Sequence, residues 1–324
     1  MPELPEVQTT VNGITTLTKG LTITDVWTDY GSDFHTGKDN IKNPKYFKKF
    51  AALVRGKKIT GASRRGKLVL IHLAGGQTIL THMKMTGHYL YGRYEKKKVK
   101  TPAGTVRERW LASDEGPLRD DPFNAHIHLV FSLSSGAQLA FSDTRKFAKI
   151  TLIPTDEIER GADMRELGPD PLNQKFTLNV LKAQIAKRSN TPIKQVLMDQ
   201  TLIAGIGNIY SDEILFASDI HPLSVPAALP PQAQKKLHAA IRPILIRGIN
   251  FGGDSMSDYR NLDGIPGKFQ NKHMAYRRTG KPCLKRGCKG TIERRIIGGR
   301  SSHFCDTHQI LYTSQRAAVR KNSK

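Results

Sequence analysis

A proline at position 2 followed by glutamate at position 3, in Met1-Pro2-Glu3-Leu4-Pro5-Glu6, sets a secondary amine beside a carboxylate once Met1 is removed. Such an amine condenses with an aldehyde-type carbon to an obligatorily cationic iminium, an electron sink that drives elimination at neighbouring atoms. An α-amino group has a reference pKa of about 8 against about 10.4 for lysine, so more of it is unprotonated at neutral pH, although proline amines are more basic than the average terminus. A second donor set lies at the other end of the chain. Cys283-x4-Cys288 and Cys305-x2-His308 are separated by 16 residues and have the arrangement of two metal-binding knuckles. Thiolate and imidazole suit tetrahedral Zn²⁺, and four protein donors leave no open position, which makes the site structural. His303 competes with His308 as fourth ligand, but Cys305-x2-His308 forms the better chelate turn. With only three cysteines, all in the last 42 residues, a disulfide framework is not expected.

These groups need supports. Val7, Val11, Ile14 and Leu17 recur at helical spacing ahead of Gly20, predicting a helix over 7–17 whose start carries the Pro-Glu pair and favours an anion, carboxylate or phosphate. Short apolar runs at 21–27, 67–73, 77–82, 126–131 and 138–141, separated by Gly, Asn and Asp, predict an antiparallel β domain. The charged, Gly/Pro-punctuated stretch 91–122 reads as an inserted loop. After the connector Leu167-Gly-Pro-Asp-Pro-Leu172 the period becomes helical, through 176–186, 192–200, 209–218 and 230–249. The segment from Asp199 to Glu213 joins two helices through Ala204-Gly-Ile-Gly-Asn208, where the glycines permit positive φ and Asn208 can present an amide to a phosphate. Runs at 291–297 and 300–304 predict a β-hairpin closed by Gly298-Gly299, aiming Arg300 outward as a bidentate phosphate clamp.

Lys and Arg total 51 against 28 acidic residues, a net charge of +23, which points to a polyanionic partner. No apolar run approaches the roughly 20 residues needed to span a bilayer, and the N-terminus lacks the basic-then-apolar layout of a secretory signal. Nucleic acid is therefore favoured over membrane, in the cytoplasm, or at the nucleoid in a bacterium.

Met1-Pro-Glu-Leu-Pro-Glu-Val7, Arg64-Arg-Gly-Lys67, His82-Met-Lys-Met-Thr-Gly87, Asp143-Thr-Arg-Lys-Phe147, Leu167 to Leu172, Asp199 to Glu213 and the terminal Cys/His pairs resemble, in order and over nearly the whole chain, the formamidopyrimidine-DNA glycosylase family. Leu4-Pro5 and Arg145-x-Phe147 set it apart from the related endonuclease VIII branch. The resemblance implies an α+β architecture: a catalytic antiparallel β-sandwich with a leading helix at 2–155, a linker at 156–172, a helix-two-turn-helix domain at 173–275, a zinc-finger hairpin at 276–310 and a basic tail at 311–324. It implies a monomeric base-excision enzyme acting on duplex DNA that contains oxidised purines or abasic sites, with one structural Zn²⁺ held by Cys283, Cys288, Cys305 and His308. Pro2 would be the nucleophile, Glu3 the general acid/base and Lys67 a phosphate-binding catalytic partner. His82, Asn208, Tyr210 and Arg300 would contact DNA, and Met85, Arg145 and Phe147 would fill the void of an everted nucleotide. Glu6, Ser257 and Tyr259 would line the lesion pocket, the last two from Gly252-Gly-Asp-Ser-Met-Ser-Asp-Tyr259, which resembles a lesion-capping loop without its frequent lysine. The x4 spacing and terminal histidine also depart from the family's four-cysteine zinc site. A binding-only protein is disfavoured by Pro2 beside Glu3. A zinc nuclease would need an open metal position with acidic ligands.

Overall fold

The computed structural model of the chain describes residues 1–100, 106–256 and 258–313; Ser257 and the basic tail at 314–324 lie outside the described residues. The chain divides into two compact units, one of Met1–Gly161 with Phe251–Gln270, the other of Ala162–Asn250 with the residues from Asn271 onward.

In the first unit, helix α1 (Leu4–Thr18) starts at Glu3 with Pro5 in its first turn, where the missing proline N–H costs no helical hydrogen bond. Lys19 is its C-cap, and Gly20 follows at φ +90°, the left-handed position that glycine takes without strain. Strands β1 (Ile23–Thr28), β2 (Ile59–Arg65), β3 (Leu68–Leu73), β4 (Gln77–His82) and β5 (His88–Gly92) follow, with α2 (Pro44–Val54) between the first two. Beyond β6 (Tyr94–Lys100) and β7 (Val106–Ala112), a short helix α3 (Pro117–Asp120) leads to β8 (Ile127–Leu133), β9 (Gln138–Ser142) and β10 (Lys149–Pro154). Two four-stranded antiparallel sheets result, ordered β1-β8-β9-β5 and β10-β4-β3-β2. Val26, Leu129, Phe131 and Phe141 of one share a single core with Val69, Ile71, Ile79 and Ile150 of the other, and Val7, Val11 and Ile14 of α1 join it. Each such side chain contributes about 1.5–3 kcal/mol on burial. The sandwich and its leading helix agree with the expectation.

The stretch expected as a loop at 91–122 is instead built around an antiparallel arm of β6 on β7. Its base packs on the outer face of the first sheet, where Tyr94, Ala112 and Trp110 meet Leu90, Val130 and Ala140. A second difference concerns 251–270, which the sequence placed with the helices. Tyr91 N–H donates to Leu262 O at 2.8 Å, Asn124 Nδ2 to Gly264 O at 3.0 Å, and Arg260 pairs with Asp121 at 2.6 Å; Leu262 also enters the sandwich core. These long-range partners bring the segment to the first unit.

The second unit contains α4 (Ala162–Arg165), α5 (Leu178–Ala186), α6 (Ile193–Met198), α7 (Asn208–Ala217) and α8 (Pro231–Asn250), then the hairpin of β11 (Ile292–Ile297) and β12 (Arg300–Cys305). Helix α8 buries Ala233, Leu237, Ile241, Leu245 and Gly248 along one face. No helix among the described residues is long and apolar enough to cross a membrane. His221 packs edge-on against Phe304 at 4.3 Å, and its Nδ1 accepts the Leu223 N–H at 3.1 Å. Burial, aided by the Arg295 charge, lowers its pKa from 6.5 to about 4. The unfolded chain therefore takes up a proton that the native state refuses, so the stability this residue contributes above pH 6.5 is lost as pH falls toward about 4. His221→Asn, which keeps an acceptor for Leu223, should flatten that part of the pH–stability curve in urea denaturation; an unchanged slope would show that other groups set it.

Candidate active site and nucleic-acid interface

At the N-terminus Pro2 and Glu3 are both buried, with Glu3 4 % exposed and Glu6 1 %. The Glu6 carboxylate accepts the Glu3 N–H through Oε2 at 2.7 Å and the Asp254 N–H through Oε1 at 2.7 Å. One side chain thus fixes both the residue beside Pro2 and the 253–259 loop. Tyr259 reinforces this, donating its hydroxyl to Glu6 O at 3.0 Å; burial raises its phenol pKa, keeping it protonated as a donor. Gly253 stands at φ +85°, and a Cβ there would meet Glu6 Cγ at 2.8 Å. Glu6 and Tyr259, expected at a lesion pocket, are placed here as the fastening between α1 and this loop; Ser257 lies outside the described residues.

Lys67 occupies the tight turn after Gly66 that joins β2 to β3, with Arg65 paired to Leu68 across it. Gly66 at φ +55° makes the reversal possible. The hairpin is tied to α1: Ala62 N–H donates to Thr15 Oγ1 at 3.1 Å and Arg64 Nε to Gln8 Oε1 at 3.1 Å. His82 pairs with Leu68, next to Lys67, and its Nδ1 accepts the Lys84 N–H at 3.0 Å. That bond shapes the turn bearing Met85, with Lys84 at φ +56°.

Arg145 and Phe147 are exposed on a neighbouring turn, the guanidinium 4.5 Å from the centre of the Phe147 ring. Asp143, wholly buried, joins this turn to the one bearing Met85. Its Oδ1 accepts a short hydrogen bond from Thr86 Oγ1, while Oδ2 accepts the Ala148 N–H and the Tyr30 hydroxyl, each at 2.9 Å. Thr86 Oγ1 in turn accepts the Arg145 N–H at 3.2 Å. Met85, Arg145 and Phe147 therefore stand on two turns joined by one carboxylate.

In the second unit Asn208 opens α7, with Gly207 as N-cap and Gly205 at φ +102°. Its Oδ1 is buried without a hydrogen-bond partner, a polar atom whose desolvation is uncompensated. Gln200 shapes the preceding turn, accepting the Gly205 N–H at 2.8 Å and donating to Ile206 O at 2.8 Å. Tyr210, expected to contact DNA, is wholly buried, and its ring lies where a Cβ on Gly248 of α8 would be 2.5 Å away. It is a helix-packing residue, since a ring with no exposed surface cannot reach a ligand. Arg300 is exposed directly after Gly298 and Gly299, at φ +56° and +73°. A Cβ on Gly298 would come within 2.0 Å of Gln195 Nε2, so glycine lets the hairpin turn seat against α6.

Cys283, Cys288, Cys305 and His308 offer donor atoms that all lie within 4.8 Å of one another. Cys288 and Cys305 sulfurs are 3.6 Å apart, and His308 Nδ1 is 3.4 Å from the Cys283 sulfur. Thiolates at about 2.3 Å from a tetrahedral zinc would stand about 3.8 Å apart, so the cluster fits such an ion. His308 Nε2 lies 3.3 Å from Phe216 O, which assigns the proton to Nε2 and turns the Nδ1 lone pair toward the sulfurs. Burial pushes the Cys283 thiol up to about 12, whereas the Gly290 N–H draws the Cys288 thiol down. His303 is engaged elsewhere, with Nδ1 3.2 Å from Asp212.

A family model for the formamidopyrimidine-DNA glycosylase N-terminal domain matches residues 1–150, and one for the H2TH domain of the same enzymes matches 167–260. The formamidopyrimidine-DNA glycosylase of Pelotomaculum thermopropionicum is 37% identical over 309 residues, covering 95% of this chain and 99% of its own. The chain belongs to the formamidopyrimidine-DNA glycosylase family. The Moorella thermoacetica formamidopyrimidine-DNA glycosylase is likewise 37% identical, over 91% of this chain and 94% of its own. Among solved structures, the Lactococcus lactis Fpg with abasic-site DNA matches at TM-score 0.76 and 29% identity, covering 95% of this chain and 99% of that one. A mutant of that protein with Fapy-dG DNA matches at TM-score 0.76 and 30% identity, with the same coverage.

Within this formamidopyrimidine-DNA glycosylase scaffold, sequence reasoning missed the buried charges that hold the exposed ones in place. Lys194 and Asp212, both wholly buried, pair at 2.7 Å, and Lys194 Nζ also donates to Asn208 O at 2.7 Å. Asp212 further accepts Ser302 Oγ at 2.8 Å and the His303 N–H at 2.9 Å. The pair thus joins the start of α7 to β12, so the helix that begins at Asn208 and the strand that begins at Arg300 are fixed by the same ions. Asp212 lay inside the quoted 199–213 segment; only its full burial marks its role. Lys194→Met should lower stability by about 3–5 kcal/mol, because it leaves the carboxylate buried and unmatched. Denaturant titration would measure this, and a loss under about 1 kcal/mol would mean that Ser302 and His303 satisfy Asp212 alone.

Proposed function

We propose that the protein is a bifunctional DNA glycosylase/AP lyase of base excision repair that removes 8-oxoguanine and formamidopyrimidines from duplex DNA. The observation that carries this is the buried Pro2-Glu3 pair fixed by Glu6 at the head of α1, in a chain whose solved relatives are described as bound to abasic-site and Fapy-dG DNA. While Met1 is attached, the Pro2 nitrogen is an amide without nucleophilicity; removal of Met1 frees it. The nitrogen then attacks C1′ of the damaged nucleotide, the N-glycosidic bond breaks and the base departs with the bonding electrons. Glu3 takes the proton that the Pro2 nitrogen loses on bonding to C1′ and passes it to the sugar ring oxygen as the ring opens and the iminium forms, after which its carboxylate serves as base. The iminium acidifies C2′; loss of that proton expels the 3′ phosphate by β-elimination, and δ-elimination removes the 5′ phosphate.

Lys67 would hold the phosphates beside the lesion, His82 would support it from the adjoining strand, and Asn208 and Arg300 would grip the backbone through charge-assisted or amide hydrogen bonds. Met85, Arg145 and Phe147 would fill the gap. Unstacking a base costs a few kcal/mol, which several such contacts offset. The domains would follow this division: catalysis from the sandwich at 2–155, DNA positioning from the helices and the 276–310 hairpin. Three thiolates and an imidazole favour Zn²⁺ for the metal, which would close the hairpin without entering the chemistry. A monomer in the compartment holding the chromosome suits this role.

Borohydride reduction on an 8-oxoguanine duplex should trap a protein–DNA adduct that maps to Pro2 in the mature chain. Pro2→Gly should slow base release and Glu3→Gln should abolish it by at least about 100-fold, as expected when a general acid/base is removed. Fully active protein that retains Met1 would refute the mechanism. Elemental analysis should find one zinc per chain, and its removal by chelator should open 283–308 to protease while the sandwich stays folded. Retained protection after complete demetallation would show that hydrophobic packing alone closes the hairpin.

A further inference from the structure

The β6–β7 arm carries seven basic residues against two acidic ones between positions 93 and 112, and none of them has a part in the chemistry above. Lys97, Lys98 and Arg109 are exposed. The register sets Lys97 directly opposite Arg109, and like charges paired across strands weaken a hairpin. Lys97 has an exposed partner in Glu95 at 3.3 Å, a pair of a kind that contributes little. The arm is nevertheless firmly seated at its base. Trp110 meets Trp27 edge-on at 6.0 Å, the Lys96 ammonium lies 5.2 Å and 5.7 Å from the two rings, and Tyr94 and Ala112 are buried. Lys98 stands opposite Glu108, which also pairs with Lys96 at 3.9 Å, so the two acids offset only part of the arm's charge; a rigid root bearing this excess of exposed cations fits a surface that meets an external polyanion.

Its position indicates which one. A cleft of about 220 Å³ at the root is lined by Arg109, Trp110, His126, His128, Asp29 and Lys146. Lys146 stands between Arg145 and Phe147, so the arm flanks the turn assigned above to the nucleotide gap. Both tryptophans are held at the root, and the outer residues are cations; a single strand would call for exposed rings on which bases stack. We propose that the β6–β7 arm is an auxiliary duplex-DNA contact that binds backbone phosphates outside the lesion site, without reading sequence, through Lys97, Lys98 and Arg109. A seven-residue strand extends about 23 Å at 3.3 Å per residue, a reach of about seven base pairs at 3.4 Å each. The inference rests on the DNA-repair reading.

Binding of the full chain would be compared on two abasic-analogue duplexes, a short one and one longer by about one helical turn, roughly ten base pairs, on each side. For the natural protein the salt dependence should be steeper on the longer duplex. Replacing Lys97, Lys98 and Arg109 by serine should remove that difference, flattening the log–log slope on the long duplex by up to about 2.7, at 0.9 per phosphate. Binding to the short duplex should not change. Serine at Lys45, Lys48 and Lys49, exposed on α2, controls for net charge. Equal slopes on both duplexes for the natural protein, or equal flattening by the α2 control, would overturn the proposal; an acidic protein would then be the better partner. Base excision from a separate short duplex carrying 8-oxoguanine reports on the enzyme: its absence in all three proteins would defeat the glycosylase reading, whereas the slope comparison alone decides the arm.

Discussion

The first residues of a chain sit where polypeptides fray most, and for Pro2 and Glu3 the carboxylate of Glu6 is what removes that freedom. By accepting the N–H of Glu3 and that of Asp254, each at 2.7 Å, it couples the first turn of α1 to a loop almost 250 positions away in sequence. Hydrogen bonds to a charged acceptor contribute about 1.5–3 kcal/mol each, and leaving such an acceptor unmatched costs more. The same requirement explains Gly253, since any side chain there would occupy the space of the Glu6 carboxylate. Order at residue 2 is thus a property of the folded unit and is only weakly encoded in the first six residues.

Buried acids perform the same service elsewhere. Asp143 holds the two turns that bear Met85, Arg145 and Phe147, Asp212 joins α7 to β12, and Glu213 accepts the N–H groups of Met274, Ala275 and Tyr276 at 2.8, 3.0 and 2.8 Å. For Glu213 desolvation outweighs these bonds and the pKa rises, a sign that even three donors do not fully replace water. Each carboxylate collects backbone or hydroxyl donors from segments that hydrophobic contact alone would leave free to slide.

The Cys/His donor set and the glycine turn of the hairpin were legible because their constraints are local. A chelate turn needs two donors a few residues apart, and a type of hairpin turn needs two glycines; both patterns survive in sequence, and the structure brings Cys283, Cys288, Cys305 and His308 together. The sandwich strands with apolar alternation were legible for the same reason. The arm was not, because Lys96, Lys97 and Lys98 give it no such alternation and its pairing depends on the Trp27–Trp110 contact beneath. Tyr210 was misassigned because a tyrosine after Asn208 reads equally well as an outward donor or a packed ring, and only Gly248, 38 positions on, decides. The transfer of 251–270 to the first unit likewise rests on Glu6, Tyr91 and Asp121, partners that no local window contains.

The way charge is partitioned gives these particulars a common basis. Among the described residues six acids are buried, Glu3, Glu6, Asp143, Asp212, Glu213 and Asp254, against three lysines or arginines, Lys42, Lys194 and Arg260, although the chain holds 51 basic and only 28 acidic residues. The buried acids are satisfied largely by backbone N–H groups of turns and loops, as Glu6, Asp143 and Glu213 are. Burying acids therefore organises turns and at the same time removes negative charge from the surface. The exposed face becomes more positive than composition alone implies. At a Debye length of about 8 Å in physiological salt, only charges close to a phosphate act on it, so affinity for a polyanion depends on where the cations stand. Asp143 and Asp212 hold the turn that bears Arg145 and the strand that begins at Arg300, so interior acids fix where these exposed cations stand.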